Sequence, residues 1–245
     1  MKSRRWRYGA SARAAPPKLF LAATLTGLTL LLAVPIAWAN SRDAEIAECR
    51  PGEIVTWGDG VDRPASARSL RFAYRHEGAP FWFSRRQVET AIERAASAWS
   101  ACGISTEVID ASRHDAQAPG DVMVRWNDAG SRGNFGLAHL GERSLSLGAE
   151  PFRQLKRRNP TYDSAQTLQM VISHEMGHFF GLMAHSRRCV DVLSYYKDGK
   201  GATCFARDPA AMGGVVEYRH TLPTACDIAR CKVANGQRPG VSDSR

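Results

Sequence analysis

No pair of cysteines in this chain has C-x-x-C spacing, which excludes a zinc ribbon or finger as the organising element. There is no internal repeat and no low-complexity tract, so a solenoid is not expected. No Ser/His/Asp set stands out as a nucleophilic triad. Basic charge is scarcer than the formal net charge of +9 suggests. Six of the 33 bases and none of the 24 acids lie in residues 1–39, which leaves 27 against 24, a net +3. The remainder has no basic stripe, so a nucleic-acid partner is not inferred.

Acids are also missing from residues 1–18, where Lys2, Arg4, Arg5, Arg7, Arg13 and Lys18 precede an almost wholly apolar run, Leu19 to Ile36, and then Ala37-Trp38-Ala39. A basic region, an apolar core and a small-x-small site, in that order, predict a secretory signal cut after Ala39. The alternative is an uncleaved membrane anchor over residues 19–39. The expected location is therefore secreted, periplasmic or extracellular, with a membrane partner only if the segment stays attached.

All six cysteines (49, 102, 189, 204, 226 and 231) fall in the exported part, and their even number predicts disulfides. Proximity in sequence favours 49–102, 189–204 and 226–231. Cys49, in Cys-Arg-Pro-Gly, could alternatively place a thiolate on a metal as an inhibitory plug, but pairing is preferred because it keeps the count even.

What the chain does have is Ser173 to Ser186, SHEMGHFFGLMAHS. His174 and His178 are four apart and share one face of a helix, so both imidazoles can reach one Zn²⁺. Glu175 lies one residue round, placed for a water on the metal rather than for the metal itself. Gly181 predicts a left-handed turn that ends the helix and returns the chain, and His185 is the third candidate ligand. Three neutral histidines leave zinc doubly charged with a position open for water, whose pKa falls from about 15.7 to roughly 7. Glu175 is then the general base. The bland alternative is a helix whose histidines merely pack or face water.

The surrounding pattern supplies a frame. Residues 40–67 read as an extended, loop-rich lead-in. Ser69 to Arg75 alternates as a strand. Ser84 with Gln87 forms a capping box, Phe83 with Val88 a hydrophobic staple, and Val88, Ala91, Ile92, Ala95, Ala96 and Trp99 recur at helical spacing until Gly103. Strands are expected at 104–109 and 121–126, another strand, or a strand and its return, over 135–140 and 144–147, and a short helix at 151–158. Asn127 to Asn134 reads as a Gly-rich turn. Calcium held by Asn127 and Asp128 is possible there but unsupported, for the carboxylates are too few. His139 reads as a packed or solvated side chain. Asp163 caps the central helix, and Leu222-Pro223 opens a last helix to about Ala234, stopped at Asn235-Gly236. Residues 239–245 are a frayed tail.

At the His-rich stretch the chain resembles the metzincin zinc peptidases, nearest the matrixins, over about Ser69 to Gly236. HExxHxxG followed by His-Ser, the Val192-Leu193-Ser194-Tyr195 segment, the element order and the closing helix with Asp227-Ile228 carry the resemblance. It implies an α+β metzincin-like zincin domain over residues 68–238: a twisted mixed sheet, an active-site helix, a Met-turn-like loop and a C-terminal helix. It further implies a zinc endopeptidase acting on a protein or peptide substrate; with the leader this reads as an exported enzyme, and a monomer is expected. His174, His178 and His185 are the metal ligands, Glu175 is catalytic, and Tyr195 contacts the metal or the developing oxyanion. The substrate would lie extended beside Phe135 to Leu147, with residues 196–203 shaping the next pocket. Two departures stand out. His185 is four residues after Gly181 where the family has three, so one residue of Leu182-Met183-Ala184 must bulge out. Leu193 takes the place of the family's Met. Asp191 and Glu217 are the substitute ligands to weigh. A non-catalytic exported binding domain with an impaired zinc site, and a hydrolase of non-peptide amides, are the rival readings.

Overall fold

The structure, a computed structural model, describes residues 41–111, 118–213 and 217–237. The leader over 1–39 and the tail over 239–245 lie outside the described residues. The central layer is a five-stranded sheet built from β1 (Ser69–Arg75), β2 (Ser105–Asp110), β3 (Asp121–Trp126), β4 (Gly136–His139) and β5 (Ser144–Leu147). The strand order is β2-β1-β3-β5-β4. All neighbours run parallel except the β4–β5 pair, which is antiparallel, with Gly136 opposite Leu147 and His139 opposite Ser144. Six α-helices occur among the described residues, so the class is α+β with a mostly parallel sheet.

Helix α1 spans Ser41–Ala47, α2 Arg85–Ser100, α3 Asp128–Ser131, α4 Ala149–Arg158, α5 Ser164–Phe179 and α6 Ala225–Ala234. The α2 stripe behaves as its spacing predicts: its buried residues are Val88, Ala91, Ile92, Ala95, Ala96 and Trp99, and Ser84 and Gln87 form the reciprocal capping box. Leu168, Val171, Ile172 and Phe179 of α5 are likewise buried. The two helices meet over β1, where Phe72 packs on Phe179 and Phe180 and Trp99 stacks on Phe180. Side chains as fully buried as Phe72, Ile172 and Phe180 each contribute about 1.5–3 kcal/mol. The Trp99 indole N–H donates to the Ser173 carbonyl at 2.8 Å, which fixes α5 in rotation one residue before His174.

Several expectations need correction. The lead-in is not extended throughout, because its first described residues form α1. Nothing local announces this helix; it is held by tertiary contacts. Buried Glu45 accepts from the Arg207 backbone at 2.6 Å and from the Tyr218 hydroxyl at 2.8 Å, and Arg42 donates to the carbonyls of Tyr218 and Arg219. The 127–134 turn contains the one-turn α3, with the Asn127 side chain capping Gly130 and Asp128 accepting from the Glu150 N–H. The last helix starts at Ala225, not Leu222, because Thr224 and Asp227 make its capping box and leave Pro223 outside it.

Of the expected disulfides, only Cys189–Cys204 occurs; the others are Cys49–Cys226 and Cys102–Cys231. Cys226 and Cys231 are five apart on α6, about 140° round the helix, so they face different neighbours and cannot bond each other. One secures the lead-in and the other the end of α2. Three disulfides point to an oxidising, extracytoplasmic environment. No helix among the described residues is long and apolar enough to cross a membrane.

The lead-in is secured a second time by Glu53, which takes two bonds from the Arg207 guanidinium at 2.6 and 2.7 Å. The Arg207 bond, against a smaller cost of burial, lowers the Glu53 carboxyl from 4.5 to about 2. A depressed carboxyl adds stability above its unfolded value and loses it as pH falls towards the folded one. Glu53→Gln should therefore cost about 1–2 kcal/mol at pH 7, after solvent screening, and almost nothing near pH 2. Urea midpoints at the two pH values would check this; an equal loss at both would remove the ion pair as the cause.

Candidate metal centre

Helix α5 presents His174 and His178 one turn apart and ends as its sequence predicts. Phe180 is the C-cap, and Gly181 has φ +100°. The Gly181 N–H donates to the His178 carbonyl and the Leu182 N–H to the Gly177 carbonyl, a Schellman ending. The chain then doubles back and brings in His185. The ring centroid of His185 lies 5.1 Å from that of His174 and 5.3 Å from that of His178. One ring nitrogen from each of the three lies within 4.8 Å of the others. The extra residue before His185 is thus accommodated.

Hydrogen bonding settles which nitrogen faces inward. His174 Nδ1 meets the Val192 carbonyl at 2.8 Å, His178 Nδ1 the Leu182 carbonyl at 2.7 Å, and His185 Nδ1 the Asp59 carboxylate at 2.8 Å. Carbonyls and carboxylates only accept, so each Nδ1 carries a proton and Nε2 is the nitrogen left to face a metal. Burial, followed by the neighbouring histidines, holds His174 well below the usual imidazole range and lowers His178 to about 4. Both are neutral at pH 7, as metal binding requires. A tetrahedral zinc with bonds of about 2.0–2.1 Å needs its nitrogens roughly 3.4 Å apart. Three histidine nitrogens within 4.8 Å of one another are the donor set such an ion takes.

Glu175 lies beside them, buried, with Oε2 accepting from the Ala138 N–H of β4 at 2.8 Å. Burial raises its carboxyl from 4.5 to about 7, the Ala138 bond opposing. The strand comes this close because residue 136 is glycine: a Cβ there would stand 2.5 Å from Val171 Cγ1 and 2.9 Å from Glu175 Cγ. Between β4 and α5 opens a cleft of about 470 Å³ that reaches the three histidines, Glu175, Met170 and Arg219.

The remaining candidates fall elsewhere. Asp191 is buried away from the cleft among the Ser186 hydroxyl at 2.6 Å, Arg188 at 3.0 Å and the Thr224 hydroxyl at 2.6 Å. Glu217 is bound to Arg219 and to the Tyr196 hydroxyl. Neither is a substitute ligand. His139 faces the Gly130 carbonyl at 2.9 Å. Cys49 is in its disulfide and has no thiolate to offer a metal. Leu193 is fully buried beneath α5, against the bare Cα of Gly177. Tyr195 is close to His185, at 5.0 Å between rings, but its hydroxyl donates to Asp59 at 3.1 Å and its ring stacks on Trp57. Burial, then the Asp59 bond, pushes this phenol up to about 12.

Sequence reading missed the part played by the lead-in. Residues 55–63 run antiparallel against the returning chain, with backbone bonds from Trp57 to His185, Arg187 to Val55 and Arg63 to Gly181. Asp59 Oδ1 accepts the His185 N–H at 2.9 Å. Asp62 Oδ1 accepts the N–H groups of Met183 at 2.9 Å and Ala184 at 3.1 Å. Arg230 of α6 closes the arrangement through Asp62 and the Ala184 carbonyl. The available signal was an aspartate between two glycines, Gly58-Asp59-Gly60, followed by Asp62.

No family model and no curated protein matches the chain. Among solved structures it is similar to a chain of the GM1-bound form of the ECX AB5 holotoxin, with 13% identity over 77% of this chain and 92% of that one, at a TM-score of 0.46. A likeness this distant carries no weight for fold or function.

Proposed function

We propose that this chain is an exported zinc-dependent endopeptidase of metzincin type, nearest the matrixins. The observation that carries the reading is the convergence of one ring nitrogen from each of three histidines beside one buried carboxylate. His174, His178 and His185 would hold the ion, which when bound supplies a Lewis acid that polarises the scissile carbonyl and acidifies a water. Glu175 would take a proton from that water and deliver it to the leaving amide nitrogen. Its Oε2 is anchored by Ala138, so the acceptor oxygen is already oriented.

β4 is the last strand of the sheet and borders the cleft, so an extended substrate can add beside it. The Val192–Tyr195 segment would serve as the turn beneath the metal, with Val192 orienting His174 and Leu193 filling the place of the family's Met. Tyr195 rests on Asp59; contact with a developing oxyanion requires it to leave that bond.

The test pairs metal content with cleavage. The purified exported chain should carry one zinc and cleave a casein-like substrate, and a chelator should stop it. One tightly held zinc without cleavage would favour the binding-domain reading; no zinc at all would reject the centre.

A further inference from the structure

We infer that Asp59 is a positioning residue of the metal centre and that the lead-in is a structural part of that centre rather than a tether preceding it. The inference rests on the zinc reading above and goes beyond it, because it makes the third ligand conditional on a segment over 120 residues earlier in the chain.

The three ligands are not held alike. His174 and His178 are oriented by neutral carbonyls within or just under the α5 region. His185 is oriented by a carboxylate that grips it twice, at the backbone N–H and at Nδ1. A charged acceptor makes the imidazole a stronger donor to a metal than a carbonyl does, and such partners change metal affinity by about 10–100-fold. The third ligand also needs the most help. The turn carrying it has one residue more than the resemblance would place there, and Met183, Ala184 and His185 leave three successive N–H groups to satisfy. Asp62 takes the first two and Asp59 the third.

The close approach is written into the lead-in's backbone. A Cβ on Gly60 would stand 2.6 Å from the Met183 carbonyl oxygen and 2.7 Å from its carbon. Only glycine lets the two strands of chain come together there. Asp59 Oδ2 is shared with the Tyr195 hydroxyl, so one carboxylate fixes both the ligand and the tyrosine beside it.

Asp59→Asn keeps the shape and removes the charge. It should weaken zinc, measured by competition with a chromogenic chelator, by about 10–100-fold, and alter the visible absorption of the cobalt-substituted chain. Tyr195→Phe, which leaves the bond from Asp59 to His185 in place, should change zinc affinity less than about threefold, well short of that second-shell effect. Melting of the metal-free proteins separates positioning from folding: Asp59→Asn should melt with the wild type. If it melts early, Asp59→Glu, which keeps the charge but displaces it by a methylene, is measured instead and should also bind zinc more weakly. Wild-type affinity and an unchanged cobalt spectrum in the folded variant would overturn the inference while leaving the zinc reading intact. A wild-type chain that binds no zinc would instead defeat the reading on which it rests.

Discussion

Glu175→Gln is expected to bind zinc as tightly as the wild type and to hydrolyse peptides about 10²–10⁴-fold more slowly. The substitution is isosteric, and the amide oxygen can still accept the Ala138 N–H, so the cleft keeps its shape. What it cannot do is take a proton. The same change has a second, opposite signature in the metal-free protein. Burial lifts the Glu175 carboxyl from 4.5 to about 7, so the folded chain holds that proton more tightly than the unfolded one. Its contribution to stability is then fully present below pH 4.5 and declines as pH rises through 7. The glutamine has no such decline. With a chelator present, the variant should match the wild type near pH 4.5 and exceed it at pH 8 by up to about 3 kcal/mol in urea unfolding. Loss of activity with gain of stability is the mark of a carboxylate kept in place for chemistry. Hydrolysis within tenfold of wild type would remove Glu175 from the reaction.

Much of this site could be read from the sequence because it is local. His174 and His178 share a face by helical period alone, Gly181 ends α5 in the conformation glycine favours, and the α2 stripe is buried residue for residue. What could not be read depends on residues far apart in the chain. Glu45 joins α1 to Tyr218 and Arg207 across more than 160 residues, and no periodicity in 41–47 foretells that helix. Cys49 and Cys102 each find a partner on α6, one on either side, which proximity in sequence cannot reveal. Asp59 is the clearest case. In the sequence it is one acid in a polar Gly-containing stretch, and only the antiparallel run against 181–187 gives it a histidine to hold. The extra residue before His185 looked like a defect of the turn for the same reason: its compensation lies in the lead-in and in Arg230 of α6.

That compensation makes Gly181 the position where a single methyl group should do most damage. Gly181→Ala puts an alanine at φ +100°, a conformation that L-residues rarely adopt, with its Cβ 2.0 Å from the Arg63 carbonyl oxygen. The first effect alone costs about 1–2 kcal/mol. The second cannot be relieved by a rotamer, since a Cβ has none and its partner is backbone, and the Arg63 N–H is itself bonded to the Gly181 carbonyl at 3.0 Å. Either α5 loses its ending or the lead-in moves away, and together these should bring the loss to about 3–5 kcal/mol. Gly201→Ala separates the two contributions, because Gly201 has φ +90° but open space where its Cβ would stand. That variant should lose only the conformational part. If the lead-in is the element displaced, Asp59 and Asp62 leave with it, and Gly181→Ala should also bind zinc more weakly while Gly201→Ala does not. Urea midpoints and chelator competition on the two variants measure both quantities, and equal losses at the two glycines would mean that the contact with Arg63 does not hold the turn.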